Sequence, residues 1–200
     1  IIDDNLLDAD KTNYICSIIK ERAEFGVSFI DISSGEFLTS SFMGKDAEIS
    51  LWSFINKYQP VEIIVPEKLA RDYTFMSTLR NQIDTILKEH PTYEFEFDNA
   101  YITLTKHFNV ENLIGFGVNP QDLKGDIYSV SSSGGLLSFI KESNMKENLT
   151  NITRMQKIHK ESYMFLDNST LQNLELLENQ KGGNYGTLFS ILNVTRTSMG

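Results

Sequence analysis

The sequence predicts an α/β fold, a mixed sheet flanked by helices, followed by a partial all-α segment. Three observations predict it. Short runs rich in aromatic and β-branched residues, separated by turn residues, fill positions 14–43. From residue 47 the apolar period lengthens to that of a helix, and helical stretches then alternate with compact apolar runs bounded by proline. From about residue 119 the strand pattern gives way to helical and polar stretches.

Residues 1–11 are polar and acidic and read as a linker. Three strands are expected at Tyr14–Lys20, Phe25–Ile32 and Glu36–Met43. Ser33-Ser34-Gly35 supplies a tight turn between the last two, which makes them antiparallel neighbours. Ala47, Leu51, Phe54, Ile55 and Tyr58 form one face of an amphipathic helix that Pro60 ends. Val61–Val65, closed by Pro66, suits a buried strand. A helical stretch is expected over 67–88, with Leu79, Ile83, Ile86 and Leu87 as its apolar side, and Pro91 ends it. Tyr93–Phe97 alternates as a short strand. Helices follow at 99–108, at 110–115 and from Asp122 to Ile140, the last interrupted by Ser131–Gly135, which allows close packing or a kink. The resulting order, β-β-β-α-β-α-β-α, is that of the ribonuclease-H-like fold. Residues 143–153 are polar and read as a second linker. Asn168 can cap a helix carrying Leu171, Leu174 and Leu177, Gly182-Gly183 stop it, and another helical run starts at Thr187.

Composition narrows the function. Apolar residues make up 40% and charged residues 22% of the 200, an ordinary globular balance. No apolar run reaches the roughly 20 residues that span a bilayer. The net charge is −9, and the only dense basic stretch is Arg154, Lys157, His159 and Lys160, which speaks against a self-sufficient nucleic-acid-binding module. One cysteine, Cys16, excludes a disulfide framework, and a reducing cytoplasm is expected. The opening on Ile1 and the close on Thr195–Gly200 read as a piece of a longer chain.

Catalytic patterns are sparse. A ribonuclease-H-like nuclease needs several carboxylates around two metal ions about 4 Å apart. Asp31, at a strand end, and Asp98 are the only candidates, and Asp31 fits better as a cap on its turn. His90, His107 and His159 stand apart from one another and from acids at ligand spacing. There is no phosphate-cradling Gly-x-x-x-x-Gly-Lys-Ser/Thr loop and no Gly-x-Ser-x-Gly elbow.

Several stretches, in order, resemble the MutS family. They are Asn5-Leu-Leu7 with Asn13-Tyr-Ile15; Phe25-Gly-Val-Ser-Phe-Ile-Asp-Ile-Ser-Ser-Gly-Glu-Phe37; Pro60-Val-Glu-Ile-Ile64; His107-Phe108 with Leu113-Ile-Gly-Phe-Gly117; Asp167–Leu176; and Gly182-Gly183, Gly186-Thr-Leu188, Leu192 and Thr197-Ser-Met-Gly200. The resemblance implies a non-catalytic connector domain over 12–142, a linker over 143–153 and the start of the helical core, or lever, domain over 154–200. It implies that the chain holds no cofactor, with ATP and Mg²⁺ bound elsewhere in the parent protein. It further implies that the connector carries signals between mismatch-binding and ATPase domains. The expected partners are MutL, the other domains of the parent and its dimer mate, and mismatched DNA reached through other parts. The helix 100–108 would offer the MutL surface, through Tyr101, Ile102, Thr103 and Lys106. A metal-dependent nuclease or resolvase is the alternative that the fold class leaves open.

Overall fold

Three hairpin-connected strands, β1 (Ile15–Glu21), β2 (Glu24–Asp31) and β3 (Glu36–Phe42), open the fold as an antiparallel meander. They belong to a computed structural model that describes residues 13–119, 126–143, 146–158, 186, 187, 190 and 191. The turn after β2 forms as its chemistry requires. Asp31 accepts hydrogen bonds from the Ser33 backbone N–H (2.9 Å), the Ser33 hydroxyl (2.6 Å) and the Ser34 hydroxyl (2.9 Å), while Gly35 N–H closes onto the Asp31 carbonyl.

The meander has two unlike faces. On one, Cys16, Phe29 and Leu38 lie opposite one another and meet helix α1 (Ala47–Tyr58). Phe54 and Tyr58 of α1 pack on Phe42 and Phe29, with ring centroids 4.9 and 4.6 Å apart. Gln59 ends α1 in a left-handed conformation, its N–H bonded to the Ile55 carbonyl, and Pro60 follows. Strand β4 (Glu62–Pro66) then enters parallel to β1, with Ile63, Ile64 and Val65 fully buried.

Two expectations fail between residues 67 and 97. The stretch expected as one helix over 67–88 is split into α2 (Glu67–Ala70) and α3 (Tyr73–Gln82), the second capped by Asp72. Its last part is strand β5 (Ile86–His90), parallel to β4. The chain extends at Ile83, and Thr85 donates its hydroxyl to the Pro60 carbonyl, which sets β5 beside the open edge of β4. Tyr93–Phe97 is consequently not the last strand. Thr92–Phe95 is a 3-10 turn that buries Phe95, and helix α4 (Phe97–Phe108) begins directly after it. The order of element types survives, with its fifth strand displaced. The short helix expected at 110–115 is a 3-10 turn at Ile114–Phe116.

On the second face of the meander the register aligns three hydroxyl residues, Ser17, Ser28 and Thr39, across three strands. Helix α5 (Asp126–Glu142) lies on this row through its small residues. Ser28 Oγ is 2.9 Å from Thr39 Oγ1, 2.6 Å from Ser132 Oγ and 2.8 Å from Ser133 Oγ, which uses its one donor and two acceptor positions. Ser17 donates to the Ser132 carbonyl (2.6 Å) and Thr39 to the Ser129 carbonyl (3.1 Å). The approach is close because side chains are missing. A Cβ on Gly26 would stand 2.1 Å from the Tyr128 carbonyl oxygen, and one on Gly134 would stand 2.3 Å from the Ala100 Cα of α4. The Ser131–Gly135 stretch therefore serves close packing inside a continuous helix.

In the stretch expected as a linker over 143–153, the described residues from 146 on are folded. A 3-10 turn spans Lys146–Asn151, and Gln156–Lys157 form strand β6, parallel to β3. Leu149, Ile152, Met155 and Ile158 are all buried. Lys157 pairs with Asp126 at the start of α5, and Asp126 also accepts the Asn119 N–H. The completed sheet has the order β5-β4-β1-β2-β3-β6. It is an α/β architecture of one mixed six-stranded sheet with helices on both faces. No described helix is long and apolar enough to cross a membrane.

The chain divides into two compact units, residues 12–162 and residues 1–11 with 163–200. Of the second, Gly186, Thr187, Ser190 and Ile191 are described. Thr187 Oγ1 accepts the Ser190 N–H (3.1 Å) and the Thr187 carbonyl accepts the Ile191 N–H (3.1 Å), a capped helical start at the expected position. The helix expected after Asn168 and its Gly182-Gly183 stop lie outside the described residues, as does the 1–11 linker.

Two substitutions test this packing by urea unfolding. Gly134→Ala, which would stabilise an exposed helix by about 1 kcal/mol, here destabilises by about 1–3 kcal/mol through overpacking. Asp126→Ala leaves the largely buried Lys157 ammonium unpaired and costs about 3–5 kcal/mol.

Candidate functional site

Helix α4 owes its exposed face to the way its other side is fixed. Ala100 and Leu104 are fully buried, and Ala100 abuts Gly134 of α5. Residues at the complementary helical spacing, Asp98, Asn99, Ile102, Lys106 and Asn109, point outward. Of the four residues expected at a partner surface, the structure brings two together on that face: Ile102, 47% exposed, and Lys106 one turn on. Tyr101 is half-buried and packs on Phe97, with centroids 5.8 Å apart, and Thr103 is half-buried on the flank. Sequence reasoning missed Tyr93, which it assigned to a strand. Tyr93 is 53% exposed, and its carbonyl accepts a hydrogen bond from the Asn99 side chain (2.8 Å).

Two crevices border α4. One, of about 790 Å³, lies at the carboxyl ends of β1 and β4, the end of a parallel strand pair where open α/β sheets place their ligands. Four of its charged side chains pair with each other. Lys20 donates to Asp72 at 2.7 Å, and Lys68 lies 3.6 Å from Glu21. The Lys20 hydrogen bond, with that from the Phe75 N–H, holds the Asp72 carboxyl below its usual range.

The other crevice, of about 890 Å³, lies at the carboxyl ends of α4 and α5, between His107, Phe108, Ser138, Lys141 and the 149–153 segment. His107 Nε2 lies 2.9 Å from the Ile152 carbonyl, so that nitrogen carries the proton. Burial lowers the His107 pKa despite this bond, with a smaller contribution from Lys141. Lys141 is also lowered, first by burial and then by Lys106.

The candidate nuclease acids do not converge. Asp31 pairs with Glu36 in the β2–β3 ladder, at the end of the sheet near Asn151, whose side chain donates to the Ile32 carbonyl. Asp98 lies in the first turn of α4, beside Phe97 at the opposite crevice. The 12 residues of α4 run between these two ends, about 18 Å. Both Asp31 oxygens are bonded to its own turn. These residues do not fit a pair of metals about 4 Å apart. Among the described residues, no three His, Cys, Asp or Glu side chains group as metal ligands.

His90 is buried at the end of β5, edge-on to Phe95 and Phe139 (6.0 and 5.6 Å), and its Nε2 has no hydrogen-bond partner. Burial lowers its pKa, and Glu142, Glu94 and Glu67 offset this only in part.

Set beside known proteins, the chain matches the MutS domain II family over residues 13–153, and it belongs to that family. Its relatives in that family include the DNA mismatch repair protein MutS of Methanococcoides burtonii, 30% identical over 200 residues, and that of Desulfatibacillum aliphaticivorans, 31% identical over 202. The MutS of Ruminiclostridium cellulolyticum is 32% identical over 201 residues. Each alignment covers 100% of this chain and 22% of the relative, so the chain spans about a fifth of the length of the curated relatives it matches.

The two lowered histidines give a signed pH dependence. Their folded pKa values lie below the unfolded value of about 6.5, so the unfolded chain takes up protons first as the pH falls. Stability therefore drops through the window just below pH 6.5 and is restored above it. Urea midpoints measured between pH 5.5 and 7.5 should show this slope, and His90→Phe should flatten part of it.

Proposed function

We propose that this chain is a non-catalytic connector of a MutS-type mismatch repair protein and that the outward face of α4 docks MutL. The observation that carries the reading is the pair Ile102 and Lys106, one helical turn apart and exposed on a helix whose inner side is locked against α5. An exposed aliphatic side chain on a rigid, well-packed element is a natural interface anchor. Family membership supports the mismatch-repair setting, since the relatives carry the name DNA mismatch repair protein MutS. In this reading ATP and Mg²⁺ are held by parts of the parent outside this chain. Mismatched DNA and the dimer mate are likewise met through other parts, and the chain acts in the cytoplasm. The net charge of −9 supports a protein partner over nucleic acid. The commitment of Asp31 to its own turn supports a connector over a nuclease.

The test is calorimetric binding of the chain to the N-terminal domain of the cognate MutL, beside an Ile102→Glu/Thr103→Glu double variant. Wild-type binding that falls at least tenfold, about 1.4 kcal/mol, in a variant with an unchanged unfolding midpoint is the expected outcome. Equal binding by both forms would move the docking site off α4.

A further inference from the structure

We infer that His90 is a pH-sensitive latch on the strap that joins β5 to α4: when its ring takes up a second proton, the Thr92–Phe95 turn releases from α5 and the first turn of α4 loosens with it.

The geometry sets a neutral ring in a closed cage. His90 ends β5, in register with Pro66 of β4, and is only 4% exposed. Its ring stands edge-on to Phe95 of the strap and to Phe139 of α5, with centroids 6.0 and 5.6 Å apart. Nε2 is buried and has no hydrogen-bond partner. A neutral imidazole bears one such unmade bond at modest cost. An imidazolium carries a proton on both nitrogens, and a buried charge without an acceptor costs far more. Protonation therefore has to move either the ring or a wall of the cage.

The carboxylates that would receive that proton surround the cage without bonding to Nε2. Glu67 opens α2 directly after Pro66, Glu94 lies in the strap, and Glu142 follows Phe139 by three residues on α5. Their charges reach the ring but offset only part of the effect of its burial. Of the neighbouring cations, Lys88 on the same strand pairs with Glu62 at 2.6 Å, and Lys68 lies 3.6 Å from Glu21. Glu89, the residue before His90, points to the other face of the sheet.

The strap is the wall that can move. Phe139 belongs to α5, which the serine seam fixes, and β4 is buried along its whole length. The strap buries one side chain of its turn, Phe95. Two turn bonds hold it, from the Glu94 N–H to the Pro91 carbonyl (3.1 Å) and from the Glu96 N–H to the Tyr93 carbonyl (3.2 Å). Thr92 Oγ1 accepts the Lys68 N–H (3.0 Å), and the Tyr93 carbonyl accepts the Asn99 side chain (2.8 Å). The Ala100 N–H reaches back to the Glu96 carbonyl (2.9 Å), so the first turn of α4 hangs on the strap. An outward swing of the strap lets the imidazolium meet Glu94, which travels with it.

Hydrogen exchange on the 200-residue chain, read by mass spectrometry and corrected for the intrinsic effect of pH, tests the latch. From about pH 7.5 to about pH 5.5, protection of the segment 92–100 should fall about tenfold, while β2 and the middle of α5 keep theirs. The His107 pKa is lowered too, but its bond to the Ile152 carbonyl lies near the carboxyl end of α4, so its titration falls on another segment. In His90→Phe, which fills the cage with a ring that takes no proton, the response of 92–100 should vanish. Glu94→Gln should keep the response and shift it to lower pH, because the Glu94 carboxylate favours the protonated ring. Should His90→Phe not fold, the wild type suffices: an NMR titration of the His90 ring and of the Glu94 and Glu96 amides should give a single shared midpoint. Protection lost evenly over the whole unit would overturn the latch and leave only a change in global stability. So would a response that survives His90→Phe or stays in place in Glu94→Gln, or a His90 ring that titrates while the 92–100 amides stay protected.

Discussion

The contact between α5 and the meander is the constraint on which the rest of the unit depends. Three hydroxyl residues, one from each of β1, β2 and β3, face the serines and glycines of α5. Around that polar centre Ile15, Ile19, Ile30 and Phe37 of the same sheet face join Val130, Leu136, Leu137 and Ile140 of α5 in one buried apolar cluster. Burial and complementarity act together: Ser28 fills all its hydrogen-bonding positions, and the absence of a side chain at Gly26 and Gly134 lets backbone approach backbone. A partly satisfied network at this depth would be worse than an apolar one, which makes the seam intolerant of change.

Everything placed on the α5 side takes its position from that seam. Ala100 of α4 rests on Gly134, so the rotation of α4 about its axis is fixed, and with it the exposure of Ile102 and Lys106. Phe95 buries its ring against Gly135, which draws Thr92–Phe95 into a tight turn and leaves Tyr93 outside. Asp126 at the start of α5 fixes both Asn119 and Lys157, so the short strand β6 is tied to the helix as well as to β3. The outward face of α4 is thus as rigid as the core beneath it. Rigidity of this kind limits the ordering cost of an interface and suits a docking surface.

Reading errors concentrated where tertiary pairing overrode local pattern. Leu79, Ile83, Ile86 and Leu87 follow a helical period, yet the chain turns to strand at Ile86 because β4 offers an unfilled edge. An edge strand with the exposure of β5 carries no clean alternation for a sequence reading to find. Tyr93–Phe97 has that alternation without an available strand to pair with. The polar stretch at 143–153 hides Leu149 and Ile152, which begin a series of buried residues three apart that continues through Met155 and Ile158. That spacing was visible in the sequence but belongs to neither of the periods used to assign helices and strands.

The sequence by itself determined the meander, α1, β4, the turn capped by Asp31 and the family motifs, because each depends on neighbours within a few residues or on a simple periodicity. It also located the helix that bears Ile102 and Lys106. Only the tertiary structure decided that Ile102 and Lys106 face out while Tyr101 and Thr103 do not. Only it set the carboxyl ends of α4 and α5 side by side, so that His107 and Phe108 of one line a crevice with Ser138 and Lys141 of the other. Those outcomes follow from the depth at which α4 seats on glycine in α5. That depth is set by contacts across the fold, which no local run of residues encodes.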